Sequence, residues 1–408
     1  MSALCKGSCE NKKFNLKKLL GILLILSLVL AWGYGFFFKP QVNLSEVIRE
    51  SFPELTLEEV IASEPLIYEI RTGDAADKAL GYAAIGEGQG YAGPVKVLVN
   101  VDTEGQIIST RVVEHKEWQN WFDKLNMEGF FDQFVEKKIT DPLDLDQDID
   151  GITGATYSSR GVATAISKAS HELAKLKYNY VYDEENKLDI KMDLAEWVAL
   201  LFWIGVIFAN IFKKYKYRKV FLFLGIPIIG YWLKTPITLS HFAGLSLGYL
   251  PDIQYNLLWY IMMGGIFGTV LTLGKNVYCY WVCPFGGLQE LLALAGSGKL
   301  LDSRRFESIA KTIKIGLVWF GLMIAFISRI PSAGSYEPFG MAFTFQGVGV
   351  QVILLVVVLL VALMNFRFWC RYACPVNLII ESLAKLRNLA RNLVKRFSGT
   401  LKIKGVTR

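Results

Sequence analysis

Tyr278-Cys279-Tyr280-Trp281-Val282-Cys283-Pro284 recurs 91 residues later as Trp369-Cys370-Arg371-Tyr372-Ala373-Cys374-Pro375. Each copy sets two cysteines four apart, on one face of a helix. Proline follows the second cysteine, where a new helix starts and a missing N–H costs nothing. The correspondence continues downstream at the same offset, pairing Glu290 with Glu381, Leu292 with Leu383 and Ala293 with Ala384. An apolar helix hairpin precedes each copy and an amphipathic helix follows it. This half of the chain therefore reads as an internal two-fold repeat of helix hairpins. Units that enter a bilayer in the same sense are related by an axis along its normal, and such symmetry brings the four cysteines together.

Working outward, apolar blocks long enough to cross a bilayer cover 19–38, 194–212, 220–233, 257–273, 313–327 and 348–364, about six spans. Lys12, Lys13, Lys17 and Lys18 precede the first block and no cleavage site follows it, which predicts an uncleaved anchor. Lysine and arginine crowd alternate short loops: Lys213, Lys214, Lys216, Arg218 and Lys219; then Arg304, Arg305 and Lys311; then Arg367, Arg371 and the tail. The positive-inside rule then puts both termini in the cytoplasm and residues 40–192 outside a bacterial cytoplasmic membrane. That stretch has 28 acidic against 15 basic residues, net −13, leaving +20 for the remainder of a chain whose overall charge is +7. The basic balance is thus a membrane-orientation signature, and no nucleic-acid partner is needed to explain it. The expected organisation is a tail (1–18), an anchor (19–38), an extracytoplasmic domain (40–192), a five-span membrane domain (193–375) and a basic amphipathic cytoplasmic tail (376–408).

The 40–192 stretch has mixed α/β periodicity. One or two amphipathic helices are expected over 45–63, strands at 66–71 and 80–85, and helices at 127–137 and 158–176. Val95, Val97, Val99 and Val101 alternate before the turn Asp102-Thr103-Glu104-Gly105 and the return run 107–113, a hairpin signal. The predicted fold is a polytopic α-helical membrane protein carrying an extracytoplasmic α+β domain.

Within that domain, Asp150-Gly151-Ile152-Thr153-Gly154-Ala155-Thr156 resembles the acceptor motif on which a transferase esterifies the phosphate of FMN to a threonine. The stretch alone equally fits a glycine turn before a serine-capped helix. Gly90-Tyr91-Ala92-Gly93-Pro94-Val95, the hairpin and Val113-Glu114-His115 stand in the order seen in the FMN-binding domain family. That family includes the flavinylated subunits of the sodium-pumping NADH:quinone reductase and of the Rnf ferredoxin oxidoreductase. The resemblance implies FMN held covalently as a phosphoester on Thr156. Asp150, Thr153, Gly154 and Ala155 complete the motif, Gly93 and Pro94 line the site, and a flavin transferase is required for maturation. Lys116-Glu117-Trp118-Gln119-Asn120-Trp121 departs from the family's pattern. Trp118 and Trp121 are open to ring stacking or core packing, and His115 reads as structural.

All six cysteines fall in predicted inner segments and none in the outer domain, which argues against disulfides and for metal. Cys279, Cys283, Cys370 and Cys374 fit one shared iron–sulfur site at the inner ends of the spans. Four-thiolate zinc and buried thiols acting as small hydrophobes remain open. Cys5 and Cys9 repeat the spacing without the proline. These features resemble the membrane region of the NosR and NapH families, and NosR also joins such a region to an outer FMN domain. With His241 as the one histidine of this half, a haem held by two histidines of the chain is not expected. Glu337 fits either a quinone or ion pathway or a loop turn. Glu196, near the end of one span, is one of few acids there, which disfavours an ion pump. The expected function is electron transfer between a cytoplasmic-side iron–sulfur centre, or the quinone pool, and extracytoplasmic FMN, with quinone or a redox protein as partner. Alternatives are a redox-sensing or maturation factor and a transporter with structural zinc.

Overall fold

The structure, a computed structural model, describes residues 4–38, 46–47, 55–61, 65–72, 79–90, 93–116, 119–145, 147–152, 155–180, 192–296, 298, 304–345 and 349–404. Two compact units emerge: one of residues 1–187, 240–252 and 322–334, the other of 188–239, 253–321 and 335–408.

In the first unit, helix α1 (Leu4–Phe37) leads to five antiparallel strands. These are β1 (Leu55–Ile61), β2 (Leu66–Thr72), β3 (Ala79–Gln89), β4 (Pro94–Asp102) and β5 (Ile107–His115), a meander in sheet order β1-β2-β3-β4-β5. The β4–β5 hairpin is the one predicted from valine alternation, with Val99 opposite Thr110. The sequence pattern predicts helix over 45–63, but 55–61 is a strand registered against β2. Only 46–47 are helical in the described part of that range. Cross-strand pairing outweighs the local helical period there.

Helix α2 (Gln119–Met127) is followed by a single 3-10 turn, Phe130–Phe134. The expected helix over 127–137 is therefore broken at Gly129, which takes φ +66°, a conformation open to glycine. Helix α3 (Thr156–Tyr178) lies across β3 and β4. Its approach is close enough that a methyl group on Gly88 would overlap the Gly161 carbonyl oxygen, and one on Gly86 that of Ala165. Beneath α3, Val97, Val99, Phe130, Phe134, Ile166 and Leu173 form the main core. Each fully buried phenylalanine there contributes about 1.5–3 kcal/mol of transfer free energy. Tyr68, Ile70, Ala83, Ile85 and Leu98 form a smaller cluster of their own.

The predicted spans meet varied outcomes. The helices long and apolar enough to cross a membrane, among the described residues, are Lys18–Phe37, Leu194–Ile211 and Ser308–Ser328, while Leu257–Leu273 and Gly349–Met364 are shorter apolar helices. The first lies in α1, which runs unbroken from Leu4 through the expected tail. The others belong to α4 (Leu194–Ile211), α9 (Arg304–Ser328), α7 (Leu257–Leu273) and α11 (Gly349–Met364). The block at 220–233 is α5 (Arg218–Gly225), loosening at Pro227 into a π-helical turn, Ile226–Trp232. Short helices α6 (Leu239–Leu247), α8 (Pro284–Ala295), α10 (Phe339–Thr344) and α12 (Phe368–Tyr372) complete the set with α13 (Pro375–Lys404). Helix α13 is continuous across the expected 375/376 boundary.

In the first unit the C-terminal ends of α1 and α9 meet. A methyl group on Gly35 would overlap the Phe326 carbonyl oxygen, and the Arg329 guanidinium stands over Phe36 at 5.3 Å and Tyr249 at 5.8 Å. Trp32 Nε1 donates to the Ser246 carbonyl at 3.0 Å. Tyr249 in turn lies against Gly93, 3.3 Å from where its Cβ would be. Within this unit, the basic N-terminal segment of α1 therefore lies at the far end of that helix from the turn that carries Gly93.

Candidate functional sites

The first site gathers at one end of the sheet. β3 ends at Gln89, β4 begins at Pro94 opposite it, and His115 at the end of β5 pairs with Val95. Gly161 of α3 abuts Gly90, where a side chain would come within 2.8 Å of the Gly90 backbone. Gly93 and Pro94 thus lie near the second turn of α3 through Gly90, whose N–H donates to the Gly93 carbonyl at 3.0 Å. Thr156 is the first residue of α3, with Ala155 as N-cap, and it is exposed. The N–H groups of a helix's first turn have no intrahelical acceptors, and with the helix dipole they favour an anion such as a phosphate.

The approach to Thr156 is built firmly. Gln133 clamps Asp150 from both sides, its Nε2 donating to the Asp150 carbonyl at 3.1 Å and its Oε1 accepting the Asp150 N–H at 2.8 Å. The Ile152 N–H donates to Ser159 Oγ at 3.2 Å, and the Ala155 N–H to the Ile152 carbonyl at 2.9 Å. Sequence reasoning misses Gln133, because the clamp joins positions 17 apart and no local pattern marks it. Thr153, Gly154 and Trp118 lie outside the described residues, as does the Trp121 side chain. His115 stacks on Phe122, with ring centroids 4.1 Å apart, which is the structural role expected for it.

The second site is in the other unit. Cys279, Cys283, Cys370 and Cys374 are all buried free thiols; Cys279 lies within electrostatic reach of Cys283 and Cys370, and Cys374 within reach of the other three, so the two motifs stand side by side. Two side chains lace the motifs together. Arg367 Nη1 donates to the Cys279 carbonyl at 3.1 Å. Gln289 accepts the Trp369 N–H at 2.8 Å and its Nε2 reaches Cys370 Sγ at 3.3 Å. As the prolines predict, α8 and α13 begin at Pro284 and Pro375, directly after Cys283 and Cys374, so two helix N-termini start at the thiols.

The chemistry of the surroundings fits an anionic iron–sulfur cluster. Lys314 is buried, and its Nζ donates to the Cys370 carbonyl at 2.8 Å and to Asn377 Oδ1 at 2.9 Å, both neutral. Glu290 is buried between Arg218 (2.9 Å) and Arg367 (2.7 Å). These groups leave an excess of positive charge beside the thiols, and buried charge is retained only where something compensates it. Among the described residues, no three metal-ligating side chains converge as a single ion requires.

The cysteines are expected at the basic ends of the spans, but the structure sets them back from there. Arg218, at the basic start of α5, is bonded to Glu290, and Gly230 faces Pro284. Between those two contacts α8 advances six residues, roughly 9 Å at a rise near 1.5 Å per residue. The second motif agrees: Asn388 of α13 donates to Gly274 at the end of α7, so Pro375 lies roughly 20 Å further along the helix by the same rise. Both cysteine motifs therefore return into the bundle before α8 and α13 lead out again. Toward the opposite end, the Ile237 N–H donates to Tyr278 Oη at 3.0 Å and Tyr336 Oη to the Ala373 carbonyl at 2.9 Å. Glu337 accepts from the Leu239 N–H and from Ser335 Oγ, both at 2.5 Å, and serves as a loop cap. Glu196 likewise belongs to the capping box of α4 with Asp193. Cys5 and Cys9 fall in the first turns of α1, with side chains outside the described set.

The two sites define a helical protein that combines an FMN-binding domain with 4Fe-4S binding domains. The FMN-binding domain family model matches residues 90–171, and the 4Fe-4S binding domain model matches twice, at 255–301 and 349–394. Among curated relatives, the chain is similar to the regulatory protein NosR of Pseudomonas aeruginosa, 35% identical over 127 residues, which are 29% of this chain and 18% of that protein. It is also similar to a component of the ion-translocating oxidoreductase complex of Escherichia coli K12, 29% identical over 139 residues, 32% of this chain and 66% of that protein. A component of the proton-translocating ferredoxin:NAD(+) oxidoreductase complex of Clostridium ljungdahlii is 29% identical over 103 residues, 24% of this chain and 55% of that protein. The chain thus spans less than two thirds of the length of each of these relatives. Together the matches support electron transfer at a membrane in general terms.

Proposed function

We propose that the chain carries electrons between a 4Fe-4S cluster held by Cys279, Cys283, Cys370 and Cys374 and an FMN esterified to Thr156, with the flavin domain outside a six-span membrane region and both termini in the cytoplasm. The observation that carries this reading is the pairing, in one chain, of an exposed threonine at a helix start with four buried thiols beside a buried lysine, Lys314, whose hydrogen-bond partners among the described residues are neutral. FMN supplies one- and two-electron chemistry and the cluster one-electron chemistry. Arg367 and Gln289 hold the two motifs in register, and Lys314 offsets negative charge at Cys370. Gln133 fixes the strand leading to Thr156, whose exposure leaves it open to a flavin transferase. The hydrocarbon layer is about 30 Å thick, and cysteines set well back from the basic end would shorten the path an electron has to cross. The position of the Gly93 turn, away from the basic end of α1 within the same unit, supports the outer placement of the flavin domain. A quinone or a redox protein serves as exchange partner.

In-gel flavin fluorescence of the chain coexpressed with a flavin transferase tests the attachment. Thr156→Val is expected to abolish it, and fluorescence persisting in that variant overturns the assignment. A second reading, that flavin and cluster sense redox state for a partner enzyme, draws on the regulatory name of the NosR relatives. It predicts both cofactors without electron flow between them.

A further inference from the structure

Gln289 of α8 is 0% exposed and reaches from the helix that follows the first cysteine motif to a sulfur of the second, 81 residues away. A buried carboxamide has one oxygen acceptor and two N–H donors to satisfy. Gln289 satisfies all of them. Its Oε1 accepts the Trp369 N–H at 2.8 Å, and its Nε2 donates to the Phe285 carbonyl and to Cys370 Sγ, both at 3.3 Å. These partners fix which way the amide faces. Turned over, its oxygen would meet the Phe285 carbonyl and the cysteine sulfur, and its nitrogen would meet the Trp369 N–H. The N–H therefore points at Cys370.

The repeat does not copy this bond. At the 91-residue offset the counterpart of Gln289 is Ile380, which is also fully buried. An aliphatic side chain fills that place in the second half, so packing alone does not call for an amide in the first. A neutral thiol is a weak acceptor. A cysteine sulfur bound to iron is anionic, and an N–H donated to it becomes a charge-assisted bond. Such a bond strengthens as negative charge accumulates, so it favours the reduced state and raises the reduction potential.

We propose that Gln289 is a positioning residue of the four-cysteine centre that acts through Cys370: its N–H···S bond raises the reduction potential, while its Oε1 on the Trp369 N–H keeps that sulfur in reach. The proposal rests on the iron–sulfur reading above and adds to it a residue that tunes the centre. It also makes the two motifs unequal, since one sulfur of the second is held by a side chain that follows the first.

The test uses the full chain, loaded with its cluster, in lipid nanodiscs. Glutamine side-chain amides are labelled with nitrogen-15, and the reduced cluster is examined by pulsed paramagnetic resonance. Iron and acid-labile sulfide are measured on the same samples. A nitrogen-15 coupling is expected in the parent and should be lost in Gln289→Met, which keeps the length of the side chain and removes the donor. In that variant the reduced-to-oxidised ratio at a fixed potential should fall roughly tenfold, the worth of about one hydrogen bond, and for one electron a tenfold change is about 59 mV. Gln289→Ile, which installs the counterpart's side chain, should lower the potential to a similar extent and guards against an effect of the methionine sulfur. Absence of the coupling in the loaded parent, or a potential unchanged or raised in both loaded variants, overturns the proposal. If the variants load poorly, the coupling in the parent decides alone. A parent chain that binds no iron removes the iron–sulfur reading and the proposal with it, whereas an unchanged potential at full iron removes the proposal only.

Discussion

Replacing Lys314 with methionine removes a buried cation whose ammonium group donates to the Cys370 carbonyl at 2.8 Å. A positive charge near a cluster favours the reduced, more negative state, so its loss lowers the midpoint potential. For a charge roughly 7 Å from the cluster centre at an effective dielectric constant near 20, Coulomb's law gives about 2.4 kcal/mol. At about 1.4 kcal/mol and 59 mV per factor of ten for one electron, that is a fall of roughly 100 mV. Lys314→Arg keeps the charge and is expected to stay within a few tens of millivolts of the parent. The assay is a redox titration of the full-length protein followed by electron paramagnetic resonance, with iron content confirming that each variant is loaded. A potential that is unchanged in Lys314→Met, or one that rises, refutes the reasoning that this lysine compensates an anionic cluster.

Cys279→Ser and Cys374→Ser, one from each motif, should each lose iron and acid-labile sulfide together; undiminished iron in either would sink the shared site. Gly88→Val forces a side chain into the Gly161 carbonyl, and overpacking of this kind costs about 1–3 kcal/mol, readable as a lower thermal midpoint of flavin-domain unfolding. Gln133→Ala releases both bonds to Asp150 and should slow flavin attachment severalfold while leaving the iron content untouched. Glu69 is held below its ordinary carboxylate value of 4.5, chiefly by the hydrogen bond from Lys177, against the opposing effect of burial. With the folded value depressed, the Lys177 contact stabilises above pH 4.5 and its contribution is lost as the pH falls through the folded value. Lys177→Met should therefore reduce stability at neutral pH by up to about 1 kcal/mol, as a partly exposed pair allows, and flatten the acid limb of a stability–pH profile. Equal slopes in both proteins would contradict this.

Much of this is legible because the signals are local or periodic. Apolar composition alone marks both ends of the helix at 257–273, and four alternating valines mark the β4–β5 hairpin. Proline after each second cysteine marks the starts of α8 and α13. What escapes depends on partners distant in sequence. The strand at 55–61 exists because β2 offers it a ladder, and the helix expected over 127–137 fails on one left-handed glycine. The depth of the cysteines follows from close contacts of Gly225, Gly230 and Gly287 across α5 and α8, which let the motif fold back into the bundle. No periodicity records such contacts. Lys314 sits in what reads as a span and becomes intelligible only when Cys370 is found beside it.

The exchange of electrons between the two centres is tested most directly by photoreducing the flavin. The full chain, loaded with flavin and cluster, would be illuminated with blue light in the presence of EDTA and frozen for paramagnetic resonance. A reduced-cluster signal should follow flavin bleaching in the parent protein and be missing in Thr156→Val. A cluster that stays oxidised beside a fully bleached flavin, or that is reduced equally without Thr156, would contradict the proposed circuit.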